Sequence, residues 1–247
     1  MTYNICHGVD FSNASAPDWK MDWWDIRLDK TADVIKGVNA DMVCLNEVYD
    51  SGAGALDKQA KKLATSAEYL DCAFGKAIEF PENRTYGNAF LSRFNIVEKQ
   101  VYSVKSPVGD ERRSGENEYY EDRAILRTVV DVSGEFIAVY SVHFGLNLLE
   151  QERMVAQLIS LIDQEKYPHI LMGDFNVEPS ASVLQPLFSR MTSAAKYCDN
   201  RQKTFSTYND QMQIDYIFVS NRFKVLSFER IEANCSDHYP CVALLEF

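Results

Sequence analysis

Short apolar runs alternate with segments of helical periodicity through the first half of the chain, and several runs end in a polar residue that a packed strand does not itself require. Those ends are where chemistry is expected. Residues 2–6 read as a first strand, followed by a loop holding Asn13, Ser15 and Pro17 and a helix over 24–38 with Trp24, Leu28, Ala32 and Ile35 on one face. Asn39-Ala40-Asp41 turns the chain into a buried strand, 42–46, that delivers Glu47. A helix over 56–67 groups Leu56, Ala60, Leu63 and Ala64, and strands are expected at 69–74, 88–92 and 95–104. Residues 105–122 are polar and long enough to form a surface loop bordering a site, or simply a mobile connector.

Strands at 123–132 and 135–142 are joined by Ser133-Gly134, a hairpin signal, and the second delivers His143. A helix over 148–163 carries Leu148, Val155, Ile159 and Ile162 on one face, and Pro168 precedes a strand at 169–172 that leads into Asp174. The last third reads as a short helix at 181–189 and strands at 214–219, 223–228 and 241–247. No repeat or linker marks a boundary, so residues 1–247 are expected to form one α/β domain.

Composition narrows the function classes. With 46% hydrophobic and 25% charged residues, the chain has the make-up of a globular protein that buries its own core. A formal net charge of -11 opposes the counterion-release attraction by which basic proteins hold duplex DNA. The six cysteines lack the close spacing of zinc or redox motifs and read as buried free thiols. No run of about 18 apolar residues is present to span a membrane, and there is no basic-then-apolar leader, so a cytoplasmic location without membrane insertion is expected. No obligate protein partner is evident.

Five strand ends carry Asn4, Glu47, His143, Asp174 with Asn176, and Asp237 with His238. Phosphate esters resist attack because their anionic oxygens repel a nucleophile, so a catalyst must neutralise charge, supply hydroxide and stabilise the leaving oxygen. Glu47, Asp174 and Asn176 are hard oxygen donors of the kind Mg²⁺ or Mn²⁺ prefers. In Gly173-Asp174-Phe175-Asn176 the acid and amide point to one side of an extended chain and Phe175 to the other. His238 suits proton transfer near neutrality, and Asp215, an acid inside an apolar strand, is a natural partner to orient it. Taken singly, each has a plainer reading: Glu47 and Asp215 as solvated acids, Asp174 and Asn176 as turn caps, and His238 as a satisfied structural histidine.

Thr2-Tyr3-Asn4-Ile5, Leu45-Asn46-Glu47-Val48, Gly87-Asn88-Ala89, Gly173-Asp174-Phe175-Asn176, Ile214-Asp215-Tyr216-Ile217 and Ser236-Asp237-His238 occur in an order that resembles the endonuclease/exonuclease/phosphatase (DNase I-like) superfamily. The resemblance spans nearly the whole chain. It implies a four-layer α/β sandwich, two packed mixed β-sheets flanked by helices, with a metal site at one end. By matching position, Glu47 would be the main Mg²⁺ ligand, with Asn4 orienting it or contacting phosphate. Asp174 and Asn176 would hold the attacking water or a second metal. His238, oriented by Asp215, would act as general base or bind a phosphoryl oxygen, His143 would contact phosphate or assist the leaving group, and Asp237 would support the metal. One metal or two is left open.

Asn88 is placed with the substrate-binding residues, as are Arg123 at a strand start and His7 just past the first motif, although Arg123 also reads as an ordinary paired arginine and His7 as a loop histidine. Asn46 stands where many relatives have glutamine, and the first motif begins with almost no lead-in, which suggests a truncated edge. The expected activity is phosphate-ester hydrolysis by metal-activated water, with inversion at phosphorus. The expected substrate is a phosphorylated small molecule or phospholipid headgroup, ahead of nucleic acid. DNA or RNA nuclease activity is the alternative, and a non-catalytic binding module a more distant one. Trp19, Trp23 and Trp24 read as core, or else as a cover for a ligand or a contact with a membrane surface.

Overall fold

A computed structural model describes residues 1–9, 27–51, 58–197, 203–207 and 211–247, with only the backbone of Glu82. The strands are β1 (Thr2–Asn4), β2 (Met42–Ser51), β3 (Asp71–Phe80), β4 (Arg84–Ser92), β5 (Asn95–Val104), β6 (Arg123–Val132), β7 (Glu135–His143), β8 (His169–Asp174), β9 (Thr192–Ser193), β10 (Asp215–Val219), β11 (Lys224–Arg230) and β12 (Cys241–Glu246). The helices are α1 (Leu28–Val38), α2 (Gln59–Ser66), α3 (Leu148–Ile162) and α4 (Gln185–Phe188). Two six-stranded sheets result, ordered β11-β12-β1-β2-β4-β3 and β5-β6-β7-β8-β10-β9. Each is mixed: β1 runs parallel to β2 and β7 to β8, while the remaining pairs are antiparallel.

Successive side chains of a strand face opposite ways, and here both faces are covered, which is why the strands read as continuous apolar runs. Along β2, Val43 and Leu45 join Ala32 and Ile35 of α1 and Ala60 and Leu63 of α2, while Cys44 faces the other sheet. Along β8 and β10, Leu171, Tyr216 and Phe218 pack with Met154 and Leu158 of α3 and Leu187 of α4, while Ile170, Met172, Ile217 and Val219 enter the layer between the sheets. Three apolar layers therefore separate four layers of secondary structure. This is the four-layer α/β sandwich expected from the motifs.

Departures from the sequence reading have local causes. Residues 10–26 and 52–57 lie outside the described residues, and with them Trp19, Trp23, Trp24, Leu56 and the expected starts of the first two helices. Leu148 is exposed, because the buried stripe of α3 is centred on Gln151, Met154 and Leu158 and leaves this first helical residue at its border. The short helix over 181–189 is a 3₁₀ turn, Ser182–Leu184, running into the four-residue α4. The Ser133-Gly134 hairpin forms as expected, with φ of 56° and 93° at its two turn residues. Cys6, Cys44, Cys235 and Cys241 are buried free thiols and Cys72 is half-buried, while Cys198 lies outside the described residues. No helix among the described residues is long and apolar enough to cross a membrane.

Close approach of backbone dictates glycine at Gly87, whose Cβ would lie 2.0 Å from the Gly75 carbonyl oxygen, and more tightly at Gly173. A Cβ built on Gly173 would lie 1.8 Å from the Val142 carbonyl oxygen, where β8 runs beside β7. Gly173→Ala is expected to destabilise the fold by at least about 2 kcal/mol, the upper half of the usual range for overpacking. A urea denaturation midpoint indistinguishable from that of the parent would contradict this.

Candidate active site

The polar residues at one end of the sandwich continue the alternation of the inter-sheet layer. Asn4 follows Thr2 on β1, Asn46 follows Cys44 on β2, and Asn88 precedes Phe90 on β4, each with the same parity as the inward residue. In the second sheet, His143 is in register with Asp174, and Asp174 with Asp215, so three titratable groups form one row across β7, β8 and β10. Residues far apart along the chain are thus brought together by strand register.

Amides connect the two sheets at this end. Asn46 donates through Nδ2 to the Val142 carbonyl at 2.7 Å and to Asn88 Oδ1 at 3.0 Å, and its Oδ1 accepts from the Asp174 backbone N–H at 3.0 Å. Asn88 in turn donates to the carbonyls of Ala124 at 2.9 Å and Ser141 at 3.3 Å. Asn88 thus braces the two sheets, buried and with its amide engaged at both ends. Asn4 is also buried behind the site. Its Nδ2 donates to Glu47 Oε1 at 3.1 Å and Asp174 Oδ2 at 3.0 Å, and its Oδ1 accepts from the Cys6 N–H. This geometry has Asn4 orienting Glu47, one of the two roles expected for it.

Glu47 is aimed by a bulge. The pairing of β2 with β4 shifts between Leu45 and Val48, and Glu47 takes a φ of 60°, which turns its carboxylate out of the ladder. His7, at a φ of 61°, brings Nε2 to 3.5 Å from Glu47 Oε2. Asn176, at a φ of 51°, donates its backbone N–H to Asp174 Oδ1 at 2.8 Å and its side-chain amide to the Phe144 carbonyl at 3.0 Å. With its nitrogen committed, Asn176 has its side-chain oxygen left as an acceptor.

His238 and His143 are driven in opposite directions. His238 Nδ1 lies 2.9 Å from Asp215 Oδ2, and its Nε2 is 3.6 Å from Asp174 Oδ2. Burial opposes charge on this ring, but Asp215 and then Asp174 outweigh it and raise the pKa well above the ordinary histidine value. His143 Nε2 is 3.5 Å from the same Asp174 oxygen, while Arg123 Nη1 stands 3.3 Å from His143 Nδ1. Arginine can only donate, so Nδ1 is the acceptor and the neutral ring carries its proton on Nε2. Burial, and then the Arg123 charge, hold the His143 pKa well below normal. Burial also pushes the Asp174 carboxyl up, against the pull of His238, and raises Asp237.

These groups open into a cleft of about 390 Å³. Glu47, Asp174, Asn176, Asp237, His143, His238, His7 and Arg123 line it, while Asp215 stands behind His238. Several lining residues escaped the sequence reading. Tyr49 and Tyr86 hold His7 between ring contacts of 5.2 and 5.6 Å, with Phe80 beside them. Phe205 packs 4.8 Å from the His238 ring. Tyr119 and Glu121 come from the 105–122 loop, which does border the site. Asn147 Nδ2 donates to the Tyr119 carbonyl at 2.9 Å, and the Glu121 N–H donates to Glu150 at 3.1 Å, so the start of α3 fixes the loop. Glu121 pairs with Arg123 at 2.9 Å. The available signals were proximity in sequence: Tyr49 lies two residues past Glu47, Tyr86 next to Gly87, and Glu121 two before Arg123.

One ligand atom from each of Asp174, Asp215 and His238 falls within 4.8 Å of the others, a candidate metal-coordinating cluster among the described residues. The donor chemistry fits a hard divalent cation. Glu47, Asp174, Asn176 and Asp237 present oxygen, and burial, with added repulsion from Asp215 and Glu47 respectively, drives Asp174 and Asp237 toward the protonated form, a penalty that a cation in the cleft would reverse.

The model of the endonuclease/exonuclease/phosphatase family matches residues 1–238. The chain belongs to this family. An uncharacterised protein, YbhP, of Escherichia coli K12 is 29% identical over 162 residues, 60% of this chain and 58% of its own length, so the match spans less than two thirds of that curated relative. An endonuclease/exonuclease/phosphatase from Beutenbergia cavernae superposes with a TM-score of 0.76 at 21% identity, covering 99% of this chain and 70% of that one. A functionally unknown conserved protein from Enterococcus faecalis gives 0.75 at 18% identity, covering 99% and 98%. A mannosyl-6-phosphatase from Bacteroides thetaiotaomicron gives 0.69 at 20% identity, covering 90% and 91%. At these identities the structural likeness establishes the fold.

Proposed function

We propose that this member of the endonuclease/exonuclease/phosphatase family is a Mg²⁺- or Mn²⁺-dependent hydrolase of small phosphate esters. The observation that carries the reading is the gathering of Glu47, Asp174, Asn176 and Asp237 in one cleft with a carboxylate-oriented histidine and an Arg123–His143 pair. Glu47, Asp174, Asn176 and Asp237 would hold the cation, which supplies charge neutralisation at phosphate and activation of water when bound.

The chain's own residues account for the rest. Asp215 fixes His238 through Nδ1, so Nε2 faces Asp174, and the proton released by attacking water passes to this Asp174–His238 pair. Arg123 and the Nε2–H of His143 stand where they can donate to phosphoryl oxygens as charge builds. Asn4 and Asn46 keep Glu47 and Asp174 in place from behind. Since nothing on this path requires a covalent bond to the protein, direct displacement with inversion at phosphorus follows.

The walls favour a compact substrate. Tyr49, Phe80, Tyr86 and Tyr119 line the cleft with aromatic rings, three of which carry hydroxyls, suited to a sugar, polyol or headgroup. Glu121 and Asp237 at the same cleft, with a net charge of -11, disfavour a long polyanion. The test is a panel of sugar phosphates, inositol phosphates, phospholipids, nucleotides and duplex DNA, with bis(4-nitrophenyl) phosphate as a generic diester. Activity is expected on the small esters, to fall to background with chelator and to return with Mg²⁺ or Mn²⁺. Turnover indifferent to chelator overturns the metal assignment, duplex DNA as the preferred substrate overturns the size assignment, and metal binding without turnover on any substrate makes the protein a binding module.

A further inference from the structure

Behind His7 the same end of the sandwich holds a donor set of different chemistry. One ligand atom from each of Cys6, His7 and Glu47 lies within 4.8 Å of the other two. Donors placed about 2.0 to 2.3 Å from a common zinc ion stand roughly 3.3 to 3.8 Å apart, so a small inward adjustment closes the set. The Cys6 thiol is almost fully buried, with Asp237 and Glu47 as its charged neighbours. The backbone is built to present these side chains. Cys6 and His7 both take positive φ, 42° and 61°, in a turn closed by the Gly8 N–H on the Ile5 carbonyl at 2.7 Å and the Val9 N–H on the Cys6 carbonyl at 3.0 Å. Buried Gln59 donates to the His7 carbonyl at 2.7 Å, fixing the turn from α2.

The two oxygens of Glu47 divide between the clusters. Oε1 accepts from Asn4 on the side of Asp174, whereas Oε2 faces His7. We propose that Cys6, His7 and Glu47 form a second cation site, selective for a thiophilic divalent ion of the zinc class and sharing Glu47 with the oxygen-donor cleft. A thiolate with an imidazole and a carboxylate selects zinc over magnesium by ligand softness, and three protein donors leave a fourth position for water or Asp237. Coordination replaces the thiol proton by the cation and releases that proton to solvent. The site does not depend on the hydrolytic reading.

The test titrates Co²⁺, then Zn²⁺, into the full chain and reads absorbance. One equivalent of Co²⁺ is expected to give thiolate-to-cobalt charge-transfer absorption that Zn²⁺ displaces and Mg²⁺ does not. Cys6→Ser should abolish the band and weaken Zn²⁺ binding at least about tenfold, since even losing a residue that only supports a ligand costs this much. Cys72→Ser and Cys198→Ser should retain both. X-ray absorption at the zinc edge of the unsubstituted protein, which needs no variant to fold, should show one sulfur scatterer at about 2.3 Å. A shell of nitrogen and oxygen alone, or a band that survives in Cys6→Ser, overturns the proposal. Because neither readout uses turnover, loss of hydrolysis would count against the proposed activity and leave this result standing.

Discussion

Replacing Asp174 by alanine is expected to lower kcat by about 10²- to 10⁴-fold, the range for removing a positioned acid or base, while leaving the fold intact. One oxygen of this carboxylate accepts from Asn4 and faces both His143 and His238, and the other accepts the Asn176 N–H. The two histidines given proton and phosphoryl roles both lie within 4 Å of it. The stability expectation follows from its surroundings. Burial raises the Asp174 carboxyl, so its ionised form opposes folding near neutral pH, and removing it offsets the hydrogen bonds lost. Initial rates on the best substrate of the panel, measured beside a urea denaturation curve, check both halves. Undiminished metal-dependent turnover in Asp174→Ala would end the assignment of this cleft as the active site.

Asp215→Asn should be nearly as damaging without touching the substrate. Asp215 is fully buried behind His238, and Thr204 Oγ1 accepts the N–H groups of Ile214 and Asp215 at 3.1 Å, which fixes the strand start from which it projects. Its charge is the largest influence favouring the protonated His238 ring. The isosteric amide keeps the shape and removes that charge, so kcat is expected to fall by about 10²-fold or more with KM little changed. The limb of the pH–rate profile that belongs to His238 should move to lower pH. Such a shift separates positioning from simple packing: a profile unchanged in both height and position would mean that Asp215 does not act through His238.

How far this was legible beforehand depends on parity. The apolar strands that are covered on both faces could be found as runs, and Asn4, Asn46, Asn88, His143, Asp174 and Asp215 extend those runs as polar endings with inward parity. The sandwich and the meeting of its strand ends were therefore readable. Direction inside a bulge was not: only the register shift at Glu47, with its positive φ, shows why this acid enters the cleft. Nor did the chain distinguish a brace from a cleft-lining residue. Asn88 carries the same amide as Asn176, yet one is buried between Asn46, Ala124 and Ser141 and the other lines the cleft. The aromatic wall was hidden for another reason, since Tyr49, Phe80, Tyr86 and Tyr119 become neighbours only when β2, β3, β4 and the 105–122 loop assemble.

Anomalous diffraction from a crystal soaked in Mn²⁺ bears most directly on whether Glu47, Asp174, Asn176 and Asp237 hold a catalytic cation. A manganese peak is expected inside the cleft, with a Glu47 oxygen and at least one of the other three donors at about 2.1 Å, the distance for a small octahedral dication. A well-ordered crystal with no peak there, or with manganese only at surface carboxylates, would contradict the account.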